Sequence, residues 1–262
     1  MSTSSESPAI YLRYLSVSII TILIRAYTYG NPGKIGLLLS DWFPIVSLPL
    51  LYRWSGDFIH KLFAWRIDPL LLSVDTYILA ALPKSLMPAS YPFWFTDLMQ
   101  LSYCSYFLII AGGLLVFYCR SLTRDFADLR LGILFALYGT YILFMLLPAH
   151  SPRFEMINPF LNQGGWCSGV VSHFINRTSF CGGSFPSGHA AVSYLICKYI
   201  KKNARKWFWP FSIATVLLMV STVYCGYHYL IDIIAGILWG TLALNLAIRC
   251  NLFWQMKGCP VI

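Results

Sequence analysis

The chain has 262 residues, of which 58% are hydrophobic and only 11% charged, with a formal net charge of +9. A soluble domain carries about 25% charged residues, so most of this surface must face lipid rather than water. The composition excludes a disordered chain, a coiled coil and a soluble nucleotide-binding fold. It predicts an all-α, polytopic transmembrane helical bundle.

Residues 1–8 are polar and lack the basic start and cleavage site of a signal peptide, so the first apolar segment is expected to be retained. Apolar stretches of about 17–25 residues read as spanning helices. They fall at 9–24, 35–52, 101–118, 131–147, 187–200, 209–224 and 230–248, giving six or seven spans. The second contains Asp41, Pro44 and Pro49, and is expected to be kinked or only partly inserted. Residues 54–92 mix charge with short apolar runs and read as an interfacial or re-entrant segment. With no internal repeat and no composition break, 1–262 reads as a single membrane domain, with a catalytic core at about 131–248.

The basic residues lie between the apolar segments, as the positive-inside bias requires, which argues against a nucleic-acid partner. The loop between the fifth and sixth spans holds Lys198, Lys201, Lys202, Arg205 and Lys206 without an acid, and Arg120, Arg124 and Arg130 sit two spans earlier. Both loops are therefore expected in the cytoplasm, and residues 148–186 and the junction near His228 on the opposite, extracytoplasmic face. Cys167 and Cys181 in that outer loop could pair as a disulfide, and Asn176-Arg177-Thr178 has the form of a glycosylation site.

Two histidine clusters and one arginine carry the chemistry. Ser184-Phe185-Pro186-Ser187-Gly188-His189 opens an apolar helix, with Pro and Ser where a helix start favours them. Free N–H groups and the helix dipole make such a terminus an anion site. Ser187 and Gly188 are candidate phosphate-binding residues, and His189 is placed to give a proton to a leaving oxygen. In the second cluster, His228 and Asp232 are four residues apart and share a helical face. Asp232 is the sole acid in the last hundred residues. It can fix one imidazole nitrogen and leave the other as a nucleophile. Arg153, in Pro148-Ala-His-Ser-Pro-Arg-Phe154, could hold phosphate oxygens in a bidentate fork. His150 and His173 read as solvated loop residues.

In order and spacing these clusters resemble the type 2 phosphatidic acid phosphatase superfamily over about 131–236. Pro186-Ser187-Gly188-His189 matches that family's second motif, and Ser221-Thr222-x5-His228-x3-Asp232 is similar to its third. The resemblance implies that His228 attacks phosphorus to form a phosphohistidine, Asp232 orients it and His189 protonates the leaving alcohol. It implies membrane lipid substrates and neither metal nor other cofactor, and it carries no signal of oligomeric state. Two family cations are replaced: Thr222 stands for the third-motif Arg, and Leu146 for the first-motif Lys. With Pro152-Arg153-Phe154, the pattern looks more like the branch of inositol phosphorylceramide and sphingomyelin synthases. Fewer cations suit a diester monoanion better than a monoester dianion. The expected function is transfer of a phospho-headgroup from a phosphodiester lipid to a lipid alcohol. The alternative is a lipid phosphate phosphatase acting on phosphatidate or a prenyl diphosphate, with Arg177, Lys84 or Lys61 replacing the lost cations. A non-catalytic transporter or scaffold of the same fold is disfavoured by the complete His189, His228 and Asp232 set.

Overall fold

A computed structural model describes residues 9–30, 33–59, 65–80, 91–155 and 164–257. Regular structure among them is helical: α1 (Ala9–Gly30), α2 (Lys34–Val46), α3 (Leu48–Ser55), α4 (Asp68–Ala80), α5 (Phe93–Tyr118), α6 (Thr123–Leu146), the single turn α7 (Pro152–Glu155), α8 (Trp166–Thr178), α9 (Gly188–Asn203), α10 (Phe208–Tyr224) and α11 (Leu230–Met256). An isolated parallel bridge joins Ala149 to Gly183.

Five segments in the described residues are long and apolar enough to cross a bilayer: Lys34–Ser55, Phe93–Tyr118, Thr123–Leu146, Arg205–Tyr224 and Leu230–Met256. This is an integral membrane protein built as an all-α polytopic bundle. Two of the seven predicted spans fall outside these five. One is α1, which carries Arg13 and Arg25. The other is α9, whose 16 residues rise about 24 Å, short of a hydrocarbon core of about 30 Å.

The reason α9 can be short lies in its surroundings. It packs against α5, α6, α10 and α11, and Ala190, Ala191, Val192, Leu195, Ile196 and Ile200 are all buried. It is the centre of the bundle rather than a lipid-facing wall.

The second span is broken as its prolines require. Pro44 lies inside α2, Ser47 makes the turn, and Pro49 occupies the first turn of α3. Helices α5, α6 and α11 each run further than their apolar cores predict. Polar residues that mark a span's end in sequence are paired here. Arg130 donates to Asp41 at 2.5 Å, and Asn251 donates to Asp128 at 2.7 Å.

Small residues bring α11 onto α9. A Cβ built on Gly236 would stand 2.4 Å from the Ser187 carbonyl oxygen, and one on Gly240 2.2 Å from that of Ala191. Only glycine permits this contact, a small-x3-small seam of the kind membrane helices use. Trp239 donates to the Ala136 carbonyl at 2.9 Å, filling the space left by Gly139 on α6. Gly240→Ala is expected to push α11 off α9 and cost about 1–3 kcal/mol, read as a lower Tm of the detergent-solubilised protein. An unchanged Tm would show that the seam is looser than described.

Candidate active site

Three loop segments converge at one end of the bundle. Ala149 donates to the Gly182 carbonyl at 3.3 Å, and Ser184 donates back to the Ala149 carbonyl at 3.1 Å. The Arg153 N–H donates to the Gly226 carbonyl at 2.9 Å. Gly226 has φ 67° just past the end of α10, a left-handed closing position that favours glycine. The Thr222 carbonyl then accepts from both Tyr227 (2.9 Å) and His228 (3.1 Å). The residues around Arg153, His189 and His228 are thus knitted by backbone bonds before any side chain is counted.

Within this frame His189, His228 and Asp232 form a chain. His189 Nδ1 lies 3.2 Å from His228 Nε2, and His228 Nδ1 lies 3.3 Å from Asp232 Oδ2. That same Oδ2 accepts from the Ser184 hydroxyl at 2.6 Å and the Tyr229 N–H at 3.0 Å. A carboxylate taking three donors acts as the acceptor, so the proton on His228 belongs on Nδ1. Nε2 then keeps its lone pair, and the Nδ1–H of His189 points at it. Asp232 is fully buried and His228 nearly so.

Ser187 caps α9, its hydroxyl oxygen accepting from Ala190 N–H at 3.2 Å, while its own N–H donates to the Asp232 carbonyl at 3.0 Å. Gly188 opens the helix, and a Cβ there would face Leu137 and Thr140 of α6 at ordinary contact distances. Five of the six predicted site residues therefore stand together at the α9 and α11 starts. Arg153 sits on the adjoining single turn α7. Its guanidinium donates to Ser179 Oγ and, at 3.4 Å, to Asn176 Oδ1. It lies over the ring of Tyr227, 5.2 Å from the centroid.

Sequence reasoning gave no role to several residues that shape this site. Ser184 was part of a quoted cluster, yet its bond to Asp232 depends on a loop whose path sequence does not reveal. Tyr103 and Tyr106 of α5 flank His189 with ring centroids at 4.8 and 4.5 Å, and Tyr103 also meets Tyr227 at 4.4 Å. Tyr227 donates to Gln100 Oε1 at 2.8 Å. Burial holds its phenol above the ordinary value, against the lowering effects of Gln100 and Arg153, so it stays neutral at physiological pH. Arg66 donates to His150 Nδ1 at 2.7 Å, so His150 is engaged rather than a free loop residue. Asp75 of α4 accepts the Leu230 N–H (2.6 Å) and Ile231 N–H (3.0 Å). It caps the helix that carries Asp232, and the one available signal was an acid inside an apolar run. Asp75→Ala is expected to cost about 1–2 kcal/mol through the lost cap, read as a lower Tm. Retained stability would mean that water replaces the cap.

Other expectations need adjusting. Cys167 and Cys181 are both free thiols. Cys167 lies in the first turn of α8 and Cys181 three residues past its last turn, so nearly the whole 13-residue helix, which rises about 1.5 Å per residue, stands between them. Thr222 is 0% exposed and its hydroxyl donates to the Met219 carbonyl at 2.7 Å, so nothing polar is offered where the family arginine would stand. Arg177 is exposed on the last turn of α8. Lys61 and Lys84 lie outside the described residues.

Comparison with known proteins decides the family. The sequence model of the PAP2 superfamily matches residues 71–246, more than half of the chain. The chain belongs to the PAP2 superfamily. A PA-phosphatase related-family protein of Dictyostelium discoideum is 30% identical over 168 residues, covering 54% of this chain but only 30% of that relative. The chain thus spans about a third of the curated relative it matches. No solved structure matches. The PAP2 match begins well upstream of the predicted catalytic core at 131, and so takes in α5 and most of α4 with Asp75, Gln100, Tyr103 and Tyr106.

Proposed function

We propose that this PAP2 protein is a lipid phosphoryl-transfer enzyme working through a phosphohistidine on His228. The observation that carries this reading is the directional chain from Asp232 through His228 to His189. His228 Nε2 attacks phosphorus, the bond from phosphorus to the lipid alcohol oxygen breaks, and that oxygen takes the Nδ1 proton of His189. An acceptor hydroxyl then attacks the phosphohistidine, its proton passes to His189, and the N–P bond breaks. The phosphoryl group would be engaged between the two imidazoles, whose facing nitrogens lie 3.2 Å apart. Ser187, Gly188 and Arg153 would hold the non-bridging oxygens. Among the described residues no group of three or more His, Cys, Asp or Glu side chains is arranged to hold a metal ion.

The finer reading is that the donor is a phosphodiester and the acceptor a lipid alcohol, as in the inositol phosphorylceramide and sphingomyelin synthase branch. Its support is charge: Thr222 is buried and uncharged, Leu146 is apolar, and an under-compensated dianion is costly in low dielectric. The second reading is hydrolysis of phosphatidate, favoured by the name of the Dictyostelium relative. The deciding measurement is kcat/KM of the wild type for a diester and a monoester lipid with identical acyl chains, with and without a ceramide or diacylglycerol acceptor. Preference for the monoester would replace the transferase by the phosphatase. Thr222→Arg would test packing before charge, because the position is buried.

The site is expected on the extracytoplasmic face. Lys201 and Lys202 close α9 at the opposite end from His189, and Arg205 and Lys206 follow in a short 3-10 turn. Lys202→Cys and Arg177→Cys, each made in a background lacking exposed Cys119 and Cys181, should react with an impermeant thiol reagent from opposite sides of the membrane. Reaction from one side would overturn this topology.

A further inference from the structure

Gln100 of α5 is 0% exposed and lies within one of the membrane-spanning segments. A polar amide at such a position is costly unless it is paired, and its presence there calls for a role. Both of its ends are used. Oε1 accepts from the Tyr227 hydroxyl at 2.8 Å, and Nε2 donates to Ser172 Oγ of α8 at 3.3 Å. Neither bond touches His189, His228 or Asp232, so the amide serves something else.

The side chain it serves is reached through Tyr227. That ring is buried, and the Arg153 guanidinium lies over it, 5.2 Å from the centroid. The guanidinium also meets the ring of Phe154, at 4.5 Å. Phe154 is 45% exposed and is the next residue in the chain, so it moves with Arg153 rather than holding it. Tyr227 is held from elsewhere. Its N–H donates to the Thr222 carbonyl at 2.9 Å, its ring packs on Tyr103 at 4.4 Å, and Gln100 ties down its hydroxyl.

An arginine grips two phosphoryl oxygens only when its planar fork is turned to receive them. On one side the Arg153 fork donates to Ser179 and Asn176. Its Nε is buried with no partner, which leaves an N–H for a phosphoryl oxygen. The face of Tyr227 sets the tilt of the plane, and the bond to Gln100 fixes the tip of that ring.

We propose that Gln100 and Tyr227 are positioning residues that set the plane of the Arg153 guanidinium for the transferring phosphoryl group. This rests on the phosphoryl-transfer reading and deepens it, because it makes α5 the support for the grip on phosphate.

The test is a set of double-mutant cycles on full-length protein in mixed micelles. The probe is the better substrate of phosphatidate and phosphatidylcholine with matched acyl chains. Gln100→Leu and Tyr227→Phe should each lower kcat/KM about tenfold. Lysine offers a point charge with no plane to set, so in an Arg153→Lys background each loss should shrink below about threefold. Equal losses in the two backgrounds would overturn the proposal. Each single variant leaves a buried polar partner unpaired, whereas Gln100→Leu/Tyr227→Phe removes the Tyr227 hydroxyl together with its acceptor. That double variant should regain a Tm near wild type while keeping the tenfold loss. Activity that recovered along with the Tm would show that the pair matters to stability alone, and would overturn the proposal too. Phosphoenzyme labelling is scored separately. If no label depends on His228, the phosphoryl-transfer reading has failed; if the label forms while the losses ignore residue 153, only the positioning assignment has.

Discussion

Replacing His228 by alanine is expected to reduce turnover by at least about a thousandfold, because the proposed mechanism gives its Nε2 the attack on phosphorus. Its Nε2 faces His189 at 3.2 Å and its Nδ1 faces Asp232 at 3.3 Å, so neither neighbour can take its place. Rapid quench with phosphorus-labelled lipid should trap an acid-labile, alkali-stable phosphoenzyme in wild type and none in His228→Ala. In His189→Ala the label should still form with an activated leaving group, since the role assigned to His189 is protonation of the departing oxygen. Label formation undiminished in His228→Ala would end the phosphohistidine mechanism outright.

The second large effect is expected at Asp232. Asp232→Asn keeps the shape and leaves an oxygen for the Ser184 hydroxyl and the Tyr229 N–H, both now bonded to Oδ2 at 2.6 and 3.0 Å. What it removes is the charge that holds the His228 proton on Nδ1. With the proton free to move to Nε2, the lone pair no longer faces the substrate. A loss in kcat of about a thousandfold or more, with KM little changed, is expected by analogy with other carboxylate–histidine pairs. Asp232→Ala should in addition lower the Tm, because the Tyr229 N–H and Ser184 hydroxyl would be left buried and unpaired. An Asp232→Asn enzyme with near-normal kcat would mean that Ser184, 3.4 Å from His228 Nδ1, is enough to set the tautomer.

The motif residues were legible because their spacing is local. His228 and Asp232 lie one helical turn apart in any helix, and Pro186-Ser187-Gly188-His189 marks a helix start by its own chemistry. The same locality limited the reading elsewhere. Spans were cut short at Arg130 and Asp128 because a charge in an apolar run looks like a boundary until its partner is known. Those partners, Asp41 and Asn251, are 89 and 123 residues away. Asp75 was passed over for the same reason, since the amides it caps lie 155 and 156 residues further on.

By itself the sequence determined that the chain is a membrane-embedded helical bundle, since no soluble fold could hide so much apolar surface behind so few charges. It also singled out His189, His228 and Asp232, which the structure brings into one hydrogen-bonded chain. Only the tertiary structure decided that α9 is a buried central helix, that glycines at 236 and 240 bring the two catalytic helix starts together, and that α4 and α5 complete the site with Asp75, Tyr103 and Tyr106. The physical reason is range. Helix periodicity and capping act within a turn or two of chain, whereas close packing and buried hydrogen bonds join residues that the sequence places far apart.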